Sequence, residues 1–454
     1  MPRISLQPAR ASTTRFHPRR DPDSPLTLAE CRQLSHATFP LLESHLALPR
    51  PNGAIYSSQD CLAIPLLSDL RRSSPEAAAR EAHLLHLLRP SGKARHLPSA
   101  DTALGAVHAL PAEKLHNNLQ ALHAAQIAQA VTEGAVPSEE PLILAGDCHD
   151  VLTYHKKPRK AVGHPRPSRA LNKAVGTNPD RGTSLAFRYL TLQTTRGPPL
   201  TVAVTPFLPL ESLAPKLRAA IDLSEERLGR KADLLLYDAG AYSTEVILML
   251  KDRVPAFIVR APQNQRVARL LSQHQGLLCF VVQDFAVRLV LDRCDTPKAT
   301  ATLVAVSRDL LDEERIETPH TEKRVKWFTF LTTLARQPNE SEREFALRVA
   351  RLYKERWDVE TGYRGHEELR GFTHALHYDV RMLQYFLAVI LSNVWALQRW
   401  RSGEAWTKKG LADFLSYVLL LGLPGERGVD GDEVQVPSGA IHPTVALGRG
   451  HQET

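Results

Sequence analysis

The sequence predicts an α/β fold, a mixed sheet flanked by helices, preceded by an all-helical region; three observations predict it. Short apolar runs bounded by turn residues begin at Pro141. Amphipathic helical stretches separate them, so strands and helices alternate along one segment. From Thr27 to Val136 and from Ser341 to Trp400 the pattern is helical only.

Composition limits the function classes. The 454 residues are material for about three structural units at roughly 150 residues each. A hydrophobic fraction of 43% with 23% charged residues argues against wholesale disorder, a collagen-like repeat or a multi-span membrane protein. With 57 Lys and Arg against 49 Asp and Glu the net charge is +8, which favours an acidic partner, nucleic acid ahead of a membrane surface. The five cysteines are scattered without a Cys-x-x-Cys pair, so neither structural zinc nor a disulfide framework is expected. The first residues are basic but lack an apolar core, so a secretory signal is not expected and a cytoplasmic location is. The most apolar run, Leu383 to Leu397, has 15 residues; about 20 are needed to span a bilayer, so it reads as a buried helix.

In chain order, residues 1–26 carry five arginines before the first acid, with five interleaved prolines, and read as a basic flexible arm. Residues 27–136 read as helical: Ser74-Pro75 is an N-cap followed by proline at the first helical position, and Leu115, Leu119 and Leu122 share a face. Residues 137–262 contain PLILAGD, the paired runs 185–193 and 199–206 that suit a hairpin, a helix over 210–229, the strand 232–238, a helix from Ser243 and the strand AFIVRAP. Residues 263–340 read as a strand-rich insertion. Helical patterning resumes over 341–400, and 401–454 is assigned as a C-terminal tail, loose from Gly422.

The chemistry-bearing residues fall at strand ends. Asp147 ends the 142–147 run and Asp238 the 232–238 run, each positioned to point into a crevice beyond the sheet. Singly, each reads equally as a turn-forming or capping Asp. In LYKERWDVETGYRGHEELRG, Tyr353, Arg356 and Glu360 are spaced 3 and 4 apart and share a helix face. A solvated, salt-bridged helix face explains that spacing too. If the helix packs on the sheet, three carboxylates meet, and their repulsion calls for one or two magnesium ions. Cys148, His149 and Asp150 have no second ligand pair, so zinc is not expected there. Lys156, Lys157, Arg159, Lys160, Arg166, Arg169 and Lys173 lie between Asp150 and Asp180 with no acid among them. That run would attract a DNA backbone, or is a solvated basic loop.

These residues resemble those of DDE transposases of the insertion sequence 4 type, which share an RNase H-like catalytic domain. The resemblance rests on Tyr353, Arg356 and Glu360 at the family's spacing, on Asp238, Gly240 and Tyr242 as its Asp-x-Gly-x-aromatic motif, and on AGDCHDVLTYH around Asp147. It covers residues 140 to 400, and separations of 91 and 122 between the three acids accommodate an insertion before the last. Glu367 departs, standing where the family has lysine. The resemblance implies an RNase H-like domain over 137–262 and 341–400 and metal-dependent strand cleavage and transfer. Asp147, Asp238 and Glu360 would hold two Mg2+ ions, with Mn2+ as a substitute, and Tyr353 and Arg356 would support them. It further implies double-stranded DNA, both transposon ends and target, as the partner, a homodimer in a paired-end complex, and DNA binding by residues 27–136. Glu367 keeps a second reading open, a transposase-derived DNA-binding protein without catalysis. Trp327 and Trp357 read as core aromatics, or as stacking platforms for an extruded base.

Overall fold

The computed structural model describes residues 28–50, 54–88, 96–154, 173–180, 183–287, 299–318, 325–371, 373, 377–402 and 407–421; at 28–33, 35–37, 88, 178–180, 357–365 and 421 it describes the backbone and not the side chains. The basic arm therefore lies outside the described residues, as do Lys156, Lys157, Arg159, Lys160, Arg166 and Arg169.

Five helices come first: α1 (Leu28–His45), α2 (Ser58–Leu70), α3 (Pro75–Leu88), α4 (Ala100–His108) and α5 (Ala112–Thr132). Local chemistry sets their starts. Ser57 and Asp60 form a reciprocal capping box at α2, and the Ser74 hydroxyl accepts the Ala77 N–H ahead of Pro75.

Next come β1 (Ile143–Thr153), β2 (Val175–Asp180), β3 (Thr183–Thr194), β4 (Thr201–Phe207), α6 (Leu213–Leu228), β5 (Leu234–Tyr237), α7 (Thr244–Arg253) and β6 (Ala256–Arg260). Residues 263–340 supply α8 (Gln265–Gln273), β7 (Cys279–Val287), β8 (Ala299–Ser307), α9 (Arg308–Glu313) and β9 (Trp327–Thr332). The described residues end with α10 (Glu342–Glu368), α11 (Tyr378–Ser402) and α12 (Lys408–Leu421).

Among the described residues all nine strands join one mixed sheet, in the order β2-β3-β1-β5-β6-β9-β8-β7 with β4 also on β3. β1, β5 and β6 are mutually parallel, while β3 runs antiparallel to β1, and β9 antiparallel to β6. The result is a mixed sheet flanked by helices, compatible with the RNase H-like expectation. Two findings refine the sequence reading. The strands of 263–340 do not form a separate layer: β9 pairs with β6 and continues the same sheet, with two short helices among the strands. Within 401–454, α12 is ordered against the core through Leu411, Leu415 and Leu420.

Three cores follow from strand alternation. One sheet face, with Leu144, Leu235 and Phe257, packs under α6 and α7. On the opposite face Ile143, Ala145, Leu234, Leu236 and Ile258 pack under α10 through Phe345, Val349, Leu352 and Tyr353. Beyond that, Val151, Phe187 and Tyr189 pack under α11, which also gathers α1, α2, α4, α5 and α12. Helix α11 is long and apolar enough to cross a membrane, but 94% of its apolar window is buried inside the molecule.

Candidate active site

The site begins with register. Gly146, Tyr237 and Val259 stand side by side at the last paired positions of the parallel strands β1, β5 and β6. One residue further, Asp147, Asp238 and Arg260 come next in line. Alternation puts them on the same face as Ala145, Leu236 and Ile258, the face that α10 covers. Gly146 is required by its neighbour: a Cβ there would lie 2.6 Å from the Tyr237 ring.

Asp147 does not end its strand, as the sequence suggested. β1 continues to Thr153 because β3 goes on pairing with it, Asp147 opposite Thr191 and Thr153 opposite Leu185. What ends at this point is the parallel partner β5, and Asp147 sits in the resulting gap between neighbours. Asp238 directly follows β5 and caps a short 3-10 turn, its Oδ1 accepting the Gly240 N–H at 3.0 Å. A side chain on Gly240 would press on that oxygen. Tyr242 closes the turn and its hydroxyl accepts from Asn264 at 3.4 Å.

Helix α10 enters under a reciprocal cap, Ser341 with Glu344, and is pinned by a two-bond ion pair between Arg348 and Glu340, 2.7 and 2.8 Å. Further along, Glu355 takes Arg196 and Thr195 from the turn after β3. This anchoring delivers Tyr353 and Arg356 to the sheet. The Arg356 Nη1 lies 3.7 Å from Asp147 Oδ2, both side chains largely covered at 7% and 25% exposure. Its Nε donates to the Tyr353 hydroxyl at 2.9 Å. Burial drives the Tyr353 hydroxyl up to about 12, with Arg356 and Arg260 pulling the other way and Asp238 adding to the rise. Tyr353 thus stays a neutral hydroxyl within the fields of Asp238 and both arginines.

Arg260 was not singled out in the sequence. Its guanidinium lies over Phe328 and Phe330, 4.6 and 5.4 Å from the ring centres. The readable signal was AFIVRAP, a strand ending in a charge one position past its apolar run, as the strand before Asp238 does. Glu360 lies on α10 one turn past Arg356, and its side chain is outside those described. Lys173 packs over the Tyr378 ring at 4.2 Å. Trp327 is half-buried and packs against the core beside Phe280, and the Trp357 side chain is outside those described.

Cys148, His149 and Asp150 are dispersed by the pleat. Cys148 meets Tyr237 at 3.5 Å on one face, and burial pushes its thiol up to about 11. His149 faces the other way, stacked 5.4 Å from Tyr385, and burial then Arg370 hold its imidazole down to about 3. Asp150 accepts both arms of Arg188, at 2.7 and 2.8 Å.

The fold and site therefore define a mixed α/β protein with two carboxylates in line just past the last paired positions of the parallel strands β1 and β5, and guanidinium groups beside them. No family model matches the chain, and neither does any curated protein. Among solved structures it is similar to a piggyBac transposase in a synaptic complex with hairpin DNA, seen by cryo-electron microscopy. That match has a TM-score of 0.49 and 11% identity over 85% of this chain and 77% of the other. A likeness at that level assigns no role to any residue here.

Proposed function

We propose that the chain is a DNA transposase of an insertion sequence, acting in the cytoplasm on double-stranded DNA and using Asp147, Asp238 and Glu360 as its carboxylates. One observation carries the reading. The β1–β5 register brings Asp147 and Asp238 together on the face under α10, while Arg356 of that helix reaches Asp147. Glu360, one turn further along α10, is the third acid of the proposal.

The donors fit a divalent metal of the Mg2+ or Mn2+ kind. Carboxylate oxygens are the ligands such hard cations take, Asp147 keeps a quarter of its side chain open to solvent, and the neighbouring thiol of Cys148 is turned to the other face. Two bound ions would activate the attacking oxygen and stabilise the leaving one in phosphodiester cleavage and transfer. The chain's own groups do the rest. Arg356 holds the Asp147 carboxylate and offers planar donors to a phosphate, and Tyr353 fixes the Arg356 Nε. Gly240 keeps the Asp238 turn tight and Tyr242 closes it. Lys156, Lys157, Arg159, Lys160, Arg166, Arg169 and Lys173 are assigned to the DNA backbone, and a homodimer holds paired ends.

The test is cleavage, in magnesium, of DNA carrying the inverted repeats that flank the gene, with intact protein and with Glu360→Ala. Cleavage that vanishes in the variant supports the reading. Glu367, exposed at the end of α10, favours the second reading, an inactive DNA-binding derivative. End-specific binding with no cleavage by either protein would select it.

A further inference from the structure

We infer that His108, His377 and Asp379 form a binding site for a divalent transition-metal ion, Zn2+ by preference, which ties helix α4 to the start of α11. The site shares no residue with the acid pair and does not depend on the proposed function.

Two elements far apart in the chain build it. His108 is the last residue of α4. His377 and Asp379 flank the first residue of α11, and the His377 carbonyl accepts the Arg381 N–H of its first turn. One ligand atom from each of the three side chains lies within 4.8 Å of the other two. The His108 Nδ1 and Asp379 Oδ2 are 2.8 Å apart, and the rings of His108 and His377 are 4.2 Å apart. Zinc ligated at about 2.0–2.2 Å in tetrahedral geometry sets its donors roughly 3.3 Å from one another. A small opening of the His108–Asp379 pair and a rotation of His377 meet that requirement, and both histidines are exposed enough to turn.

Ligand chemistry selects the ion. Imidazole nitrogens suit zinc, copper, iron and nickel, whereas magnesium and calcium take oxygen-rich shells. Two imidazoles and one carboxylate supply three ligands and leave a position for water. His108 stands in the last turn of α4, the negative pole of a helix, which favours a nearby cation, and Asp379 stands in the first turn of α11. A contact between the histidine pair and Asp379 alone is a surface hydrogen bond; with the metal it becomes a cross-link between the N-terminal helices and the central helix of their core.

The experiment uses the full chain, stripped with a chelator and titrated with Zn2+ in excess Mg2+, beside His377→Ala and Asp379→Asn. Because His377 is exposed, its loss leaves the fold intact, and Asp379→Asn preserves the side-chain shape. The expected result is one zinc per chain by calorimetry, weakened about tenfold or more in each variant. A zinc-dependent rise in Tm for the intact chain should be absent from both variants. Cobalt added in place of zinc should give a visible absorption band that His377→Ala removes. Equal zinc binding by intact protein and both variants, or no binding by the intact protein, overturns the site.

Discussion

Helices α10 and α11 both meet the β1 face that carries Ala145, Asp147, His149 and Val151, and have opposite chemistry. Helix α10 mixes charges through its length, buries Phe345, Val349, Leu352 and Tyr353, and carries Arg348, Glu355 and Arg356 into bonded positions. Helix α11 is almost wholly buried, and its polar groups serve packing: Tyr385 is sandwiched between Tyr189 and His149, and Asn393 bridges Gln126 and the backbone at Thr201. Asp147 stands at the seam between them, with Ala145 under α10 on one side and His149 under α11 on the other. The difference teaches that burial alone does not mark a working surface. A charge held where a parallel partner strand stops, bonded to a second element and still open to solvent, is the informative feature.

That contrast yields graded expectations. Asp147→Asn keeps the shape of the seam and removes its charge; on the proposed function, magnesium-dependent cleavage should fall on the order of ten-thousandfold, about 5 kcal/mol of barrier, with the unfolding midpoint nearly unmoved. A large loss of stability instead would make Asp147 a structural residue like its α11-side neighbours. Tyr385→Ala should do the converse, lowering stability by about 3–4 kcal/mol in denaturant titration while the folded fraction keeps its activity per molecule. Gly146→Ala should cost about 1–3 kcal/mol, because the new methyl meets the Tyr237 ring; an unchanged midpoint would mean that β1 and β5 sit further apart than described.

The smallest effect per site is a pH dependence that belongs to the α11 side. Burial holds His123, His149 and His366 below the usual histidine range, the last two at about 3. Each is held neutral when folded and takes up a proton on unfolding in acid, so its contribution is fully present above about pH 6.5 and is lost as pH falls below it, toward about 3 for His149 and His366. Stability measured at pH 7.5 and 5.5 should differ by about 1 kcal/mol per buried histidine. His149→Phe should flatten the slope, and a slope equal to that of the parent would remove His149 from the account.

The site was partly legible before the fold. Asp147 and Asp238 stood out because a lone acid after an apolar run is visible in one dimension, and Tyr353 and Arg356 because their helical spacing is. The extent of β1 was not legible: Cys148, His149 and Asp150 look like turn residues until Tyr237, Tyr385 and Arg188 are found to satisfy them. Nor was the continuation of the sheet into β7–β9, since strand partners are chosen by edges that a linear pattern does not show. β2 likewise has no strand-like composition and exists by pairing with β3.

By itself the sequence determined the alternation of strands and helices, the helical region ahead of them, the buried character of α11 and the acids that terminate apolar runs, because periodicity and turn chemistry are local. Tertiary structure alone decided that Asp147 and Asp238 share a face, that Arg356 meets Asp147, that Arg260 joins them and that His108 meets Asp379 across 271 residues. Those outcomes depend on strand register and helix docking, which are fixed only when distant apolar surfaces bury one another.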